Sequence, residues 1–141
     1  MACVLVIEDD PASLELMVYL LKTFGHEALM AVSGLQGIET VRRERPDLIL
    51  CDIQLPGVDG VEVCRQLKWD PALRHIPIIA VTAYAMIGDC ERLLGEGFGN
   101  YMSKPINPLT FIDEITPHLP PDKDEPLSDE FEPFIRKMRV A

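Results

Sequence analysis

"VLVIEDDP", residues 4–11, runs four apolar residues into Glu8, Asp9 and Asp10 and stops at Pro11. An apolar run of this length, closed by a helix-start signal, reads as a buried strand that turns into a helix. Three adjacent carboxylates at such a mouth repel one another and lose hydration, so each needs a counter-charge or a structural role. Asp10 has a structural one, because Asp followed by Pro is a helix N-cap followed by the first helical residue. Glu8 and Asp9 remain at the strand end.

The same alternation continues along the chain. Short apolar runs "CVLVI" (3–7), "EALMAV" (27–32), "DLILCD" (47–52), "IPIIAVT" (76–82) and "GNYMS" (99–103) are separated by longer stretches with helical periodicity. Leu14, Met17, Val18 and Leu21 form one apolar stripe; Leu35, Ile38 and Val41 a second; Val61, Cys64 and Leu67 a third; Met86, Cys90, Leu93 and Leu94 a fourth. A last helix from about Pro108 carries Ile112 and Ile115, and Pro117 ends it early by removing a backbone donor. Most of the strands are apolar on both faces, which places them between helices. The expectation is an α/β fold, (βα)5, with a doubly wound parallel five-stranded sheet, right-handed crossovers and ligands at the carboxyl ends of the strands.

Composition narrows the partners. The 141 residues and 48% hydrophobic content suffice for one domain with a proper core. A net charge of −10 argues against a nucleic-acid surface, which needs clustered Lys and Arg. Cys3, Cys51, Cys64 and Cys90 form no C-x-x-C pair, and three of them lie in apolar runs. They read as reduced, structural thiols of a cytoplasmic protein. No leader-like segment and no membrane-length apolar run is present in the sequence. From residue 119 the composition changes to an acidic, proline-containing tail, 119–141, in which Phe131, Phe134, Ile135 and Met138 form a short apolar pattern.

The residues that follow the strands carry the chemistry. Glu8 and Asp9 follow the first, Asp52 ends the third, Thr82 ends the fourth, and Lys104 with Pro105 follows the fifth. Acids converging from two strands need a cation between them, and an all-oxygen set without His or Cys selects a hard one, with Mg2+ favoured where a phosphate is awaited. With a metal in place Asp52 is a candidate carboxylate nucleophile, exposed at the rim by "DIQLPGVDG" with Pro56, Gly57 and Gly60. Lys104 and Thr82 would supply a positive charge and a hydroxyl donor to phosphoryl oxygens.

"VLVIEDDP", "DLILCDIQLPGVDG", "IPIIAVTA" and "YMSKP" together resemble the receiver domain of two-component response regulators, over residues 2 to about 118. The resemblance implies a flavodoxin-like, CheY-like fold with strand order 2-1-3-4-5. It implies Asp52 as phosphoacceptor, Asp9 as direct Mg2+ ligand, Glu8 as the acid that often acts through water, and the backbone carbonyl of Gln54 as the third protein ligand. Thr82 and Lys104 match the residues that grip the phosphoryl group, Tyr101 the aromatic that turns inward with Thr82, and Lys104–Pro105 a cis peptide. "IPIIAVTAYAM" followed by "GD" is also similar to DivK-like stand-alone regulators and to hybrid-kinase receivers. A histidine kinase or phosphotransfer protein is the implied donor, a downstream protein the implied target, with a phosphorylation-linked homodimer as a further implication. The short tail leaves no room for an output domain if the chain is complete, and Tyr84 is expected to hinder the hydrolytic water.

Plainer readings stand beside these. Thr82 alone is a β-branched strand end, Lys104 a surface lysine, Tyr101 a core or rim residue. His26, His75 and His118 have no nucleophile or metal partners at sensible spacing and read as bystanders; Gly95, Gly97 and Gly99 read as turn residues, and Trp69 as packing at a helix end. A flavodoxin is disfavoured because three acids after the first strand would repel the flavin phosphate. A haloacid-dehalogenase-type phosphatase would carry D-x-D, whereas Ile53 and Gln54 follow Asp52. A docking module with a degenerate pocket is weakened because no pocket position is lost. The expected function is a phosphorylation-controlled binding switch that catalyses only its own modification.

Overall fold

Five short strands, Cys3–Ile7 (β1), Glu27–Ala31 (β2), Leu48–Asp52 (β3), Ile78–Thr82 (β4) and Asn100–Ser103 (β5), pair in parallel in the order 2-1-3-4-5. This is a computed structural model; it describes residues 2–83 and 87–120, without the side chains of 87–90. Helices Pro11–Thr23 (α1), Gly34–Glu44 (α2), Gly60–Trp69 (α3), Ile87–Gly95 (α4) and Phe111–Ile115 (α5) connect and follow the strands, and a 3-10 turn at Thr116–His118 closes the fold.

Every residue of β3 and β4 is buried, as strands covered on both faces require. One apolar layer joins Leu5, Ile7, Ile49 and Ile78 to Ile38 and Val41 of α2, Val63 and Leu67 of α3 and Leu93 of α4. The other joins Val4, Val6, Leu50 and Val81 to Met17 and Leu21 of α1 and Phe111 and Ile115 of α5. Alternate residues of one strand thus serve opposite helical layers. β2 lies at the sheet edge and is only partly buried, so the expectation of apolar cover on both faces does not extend to it.

Short polar side chains set the helix starts. The Asp10 carboxylate accepts the Ser13 N–H at 3.1 Å and the Ser13 hydroxyl at 2.7 Å. Ser33 accepts the Gln36 N–H at 3.2 Å and Asp59 that of Glu62 at 2.9 Å, so α1, α2 and α3 all begin on a side-chain cap. β3 begins one residue later than the apolar run suggests, with the Asp47 carboxylate accepting the Cys3 N–H. β4 begins after Pro77, which has no N–H to give a ladder. α5 begins at Phe111 rather than near Pro108, and its α-helical turn ends before Pro117.

Three expected core positions face solvent. Leu35 is exposed because Gly34, one step of about 100° earlier, takes the inward position in the first turn of α2. Leu94 is exposed beside buried Leu93 for the same angular reason. Trp69 is 88% exposed and does not pack at the helix end: it lies two residues, about 200°, around α3 from buried Leu67. Of the three glycines near the fourth and fifth elements only Gly97 has a positive φ, +111°, while the Gly99 N–H already bonds to β4 through Ile78. Cys3, Cys51 and Cys64 are free thiols, and the Cys90 side chain lies outside the described residues. Among the described residues no helix is long and apolar enough to cross a membrane.

Candidate functional site

Parallel register brings the strand ends together. Ile7 sits beside Cys51, Asp52 beside Val81, and Thr82 beside Ser103. Backbone bonding continues past the last pairs: the Glu8 N–H donates to Ala31 at 3.0 Å, the Ile53 N–H to Val81 at 3.1 Å, and the Lys104 N–H to Thr82 at 2.8 Å. Glu8, Asp52, Thr82 and Lys104 are therefore held at one edge of the sheet, where β1 and β3 neighbour each other and the connections diverge.

At that edge the Lys104 ammonium lies 3.2 Å from Asp52 Oδ2 and pairs with Glu8 Oε1. Glu8 is fully buried; its Oε2 accepts the Asp9 N–H at 3.0 Å and the Asp10 N–H at 3.5 Å, while Oε1 has its ionic partner but no hydrogen bond among the described residues. Asp52 is buried and its Oδ1 accepts the Gln54 N–H at 3.1 Å. Asp9 is exposed, and one oxygen each from Glu8, Asp9 and Asp52 lies within 4.8 Å of the others.

Three carboxylates facing one ammonium leave a formal excess of two negative charges. Burial, reinforced by Asp52, pushes Glu8 up to about 7 against the opposing pull of Lys104. Burial works to lower Lys104, yet Glu8 and Asp52 outweigh it and its pKa is raised. An acid and its cationic partner both retaining protons indicate a site short of positive charge. The all-oxygen donor set, its missing charge and the under-bonded Glu8 Oε1 fit a hard divalent cation.

The loop after Asp52 is shaped by close approach. A Cβ on Gly60 would lie 2.3 Å from the Asp52 carbonyl oxygen and 2.8 Å from Ile53 Cα, so only glycine lets α3 start there. Gly57 has φ +76°, which the turn takes at no steric cost. Leu55 is buried beneath the loop and anchors it. On the opposite side the Lys104–Pro105 peptide is cis and Ile106 is buried after it.

Thr82 is buried and Tyr101 is 37% exposed on β5, at the sheet's other edge. Asp10 belongs to the α1 cap and is not among the clustered acids. Tyr84 lies outside the described residues. His118 Nε2 is 3.3 Å from the Asn100 side-chain amide, and His26 Nδ1 accepts the Ala2 N–H, which are structural contacts. Sequence reasoning missed that Glu8 is buried and pairs with Lys104. The signal was available in the unbroken apolar run leading into it. It also missed Ser13 as the residue that holds Asp10.

The response regulator receiver domain family matches residues 4–116, and the chain belongs to it. It is 47% identical over 116 residues to the polar-differentiation response regulator DivK of Brucella anthropi, covering 82% of this chain and 94% of that one. A receiver domain of a sensor histidine kinase from Pseudomonas aeruginosa, solved with a magnesium ion coordinated in its active-site cleft, superposes with TM-score 0.75 at 30% identity, over 82% of this chain and 95% of that one. The chemotaxis protein CheY4 of Vibrio cholerae shares the fold at TM-score 0.80 and 23% identity, over 84% and 99% of the two chains. The chain is thus a response regulator receiver of two-component signalling, with the CheY-like fold expected from its motifs.

Proposed function

We propose that Asp52 accepts a phosphoryl group from a histidine kinase or phosphotransfer protein, and that the modified domain switches its protein contacts. The observation that carries this reading is the meeting of Asp52, Glu8 and Lys104, from three different strand ends, in a site short of positive charge. Asp52 would attack phosphorus through a carboxylate oxygen as the bond to the donor imidazole nitrogen breaks, giving an acyl phosphate. Lys104 already faces Oδ2 and would follow the new oxygens, while the Gln54 N–H holds Oδ1 and fixes the carboxylate plane. Thr82 would donate its hydroxyl to the phosphoryl group, and Tyr101 would turn inward behind it.

Glu8, Asp9 and Asp52, with the backbone carbonyl of Gln54, would hold Mg2+. Bound there, the ion would neutralise carboxylate charge and draw charge off the phosphoryl oxygens. Support comes from the 4.8 Å grouping of the acids and from the likeness to a receiver whose cleft holds magnesium.

The domain's catalysis is confined to its own modification, so it is a switch rather than a metabolic enzyme. Residues 1–118 form the receiver and 119–141 a tail. A downstream protein, or a phosphorylation-linked second copy, would read the change. A cytoplasmic setting belongs to the same reading, in keeping with the free thiols. A phosphoryl group adds about −1.5 to −2 charge, and a full reversal of a 1:99 equilibrium needs roughly 5.5 kcal/mol of differential stabilisation, so a partial shift is expected. Intact mass after incubation with Mg2+ and acetyl phosphate tests the reading. One phosphoryl adduct in wild type and none in Asp52→Asn supports it, and no adduct in either protein overturns it.

A further inference from the structure

On the face away from α1 and α5, the second halves of α2 and α3 enclose a concavity of about 540 Å³. Trp69 and Pro71 give it an apolar wall, and Arg42, Arg65 and Gln66 a polar one. Glu62 and Asp70 also reach it, but Glu62 sits 3.9 Å from Arg65, which is held mainly by Glu96 through two bonds of 2.9 Å. Among the described residues no acid pairs with Arg42 or Arg74. Arg42, Arg43, Arg45, Arg65, Lys68 and Arg74 gather on α2, α3 and the turn that follows, in a chain whose net charge is −10. A largely exposed tryptophan beside arginines is the residue pairing that anchors protein contacts.

The chain carries a complementary segment. Residues 121–134, "PDKDEPLSDEFEPF", hold six acids against one lysine and end in Phe131 and Phe134. In a parallel α/β fold every helix runs back toward the start of the next strand. The end of α3 and the end of α5 therefore lie at the same edge of the sheet, opposite the carboxylate site. The contact of His118 with Asn100, the first residue of β5, fixes the last turn at that edge. Crossing from one helical layer to the other spans about 20 Å. Eleven flexible residues, from Pro120 to Phe131, have a root-mean-square reach of about 19 Å and extend to about 36 Å.

We infer that residues 121–134 dock intramolecularly in the α2–α3 concavity, with Phe131 and Phe134 against Trp69 and the acids toward Arg42 and its basic neighbours. The inference is independent of the phosphoryl site. At an effective concentration near 1 mM, a contact with a Kd of about 1 mM is half formed, so Trp69 is shielded about twofold.

Trp69 is the sole tryptophan, which makes its fluorescence a direct reading. Acrylamide quenching of the full chain is compared with Phe131→Ala/Phe134→Ala and with Arg42→Glu. The expected result is a quenching constant about twofold higher in both variants, reproduced in wild type by about 0.5 M NaCl, which screens the charges. Equal quenching in all three proteins overturns the docking. A wild-type value that falls with increasing protein concentration overturns the intramolecular form in favour of a second copy.

Discussion

Lys104 Nζ stands 3.2 Å from Asp52 Oδ2 while pairing with the buried Glu8, so a single ammonium serves two carboxylates from different strands. Removing it leaves both acids uncompensated. For Lys104→Met the metal-free domain is expected to lose about 2–3 kcal/mol, less than the 3–5 typical of a fully buried pair because solvent reaches Lys104. Urea unfolding with and without Mg2+ checks this: the cation should recover a larger share of stability in the variant than in wild type.

The Glu8 carboxyl carries a pH dependence whose sign is unusual for an acid. Its folded pKa is raised from 4.5 to about 7, so between these values the folded protein keeps a proton that the unfolded chain gives up. The stabilising effect of that proton is present below 4.5 and is lost as pH rises through 7. Cation binding requires ionised Glu8, so Mg2+ affinity should rise with pH, by up to about tenfold per unit below 7, and level off above it. Calorimetric titrations between about pH 6 and 8 should show this slope in wild type and a flat profile in Glu8→Gln.

Asp9 and Asp10 are adjacent yet serve different ends. Asp10 is committed to Ser13, and those bonds hold its carboxyl below its ordinary value. Asp10→Ser, which preserves a capping oxygen, should leave Mg2+ affinity within about twofold of wild type. Asp9→Asn should remove most of it. Comparable losses in the two variants would show that the cap and the cation site are not separate.

Gly60 and Gly95 form an internal contrast. An added Cβ at Gly60 meets the Asp52 carbonyl at 2.3 Å, whereas at Gly95 nothing lies within 4 Å. Gly60→Ala should cost about 1–3 kcal/mol and slow phosphoryl acceptance by displacing the Asp52 loop. Gly95→Ala should be neutral or stabilising by up to about 1 kcal/mol. Thermal unfolding and the rate of phosphoryl uptake distinguish the two.

Strand number, order and site edge were legible because runs such as "VLVI" and "DLILCD" are apolar on both faces and each ends in a polar residue at the same sheet edge. Asp10 was legible because a cap is a local device. Leu35, Leu94 and Trp69 were misread because residues one or two apart on a helix differ by 100° to 200°, an angle that a loose apolar stripe does not resolve. The burial of Glu8 and its bond to Lys104 depend on β1 and β5 delivering residues to one edge across three intervening pairings. No local pattern encodes that. Gly60 could be read as a turn residue, but its closeness to the Asp52 carbonyl is a property of packing.

The most direct test of the central claim locates the phosphoryl group. After reaction with acetyl phosphate and Mg2+, borohydride reduces an acyl phosphate to an alcohol, and peptide mass mapping then finds the altered side chain. The expected result is homoserine at position 52 alone, dependent on Mg2+ and lost when the cation is chelated before phosphorylation. Reduction at Asp9, at Glu8 or at no residue under conditions that leave the domain folded would contradict the assignment of Asp52 as acceptor.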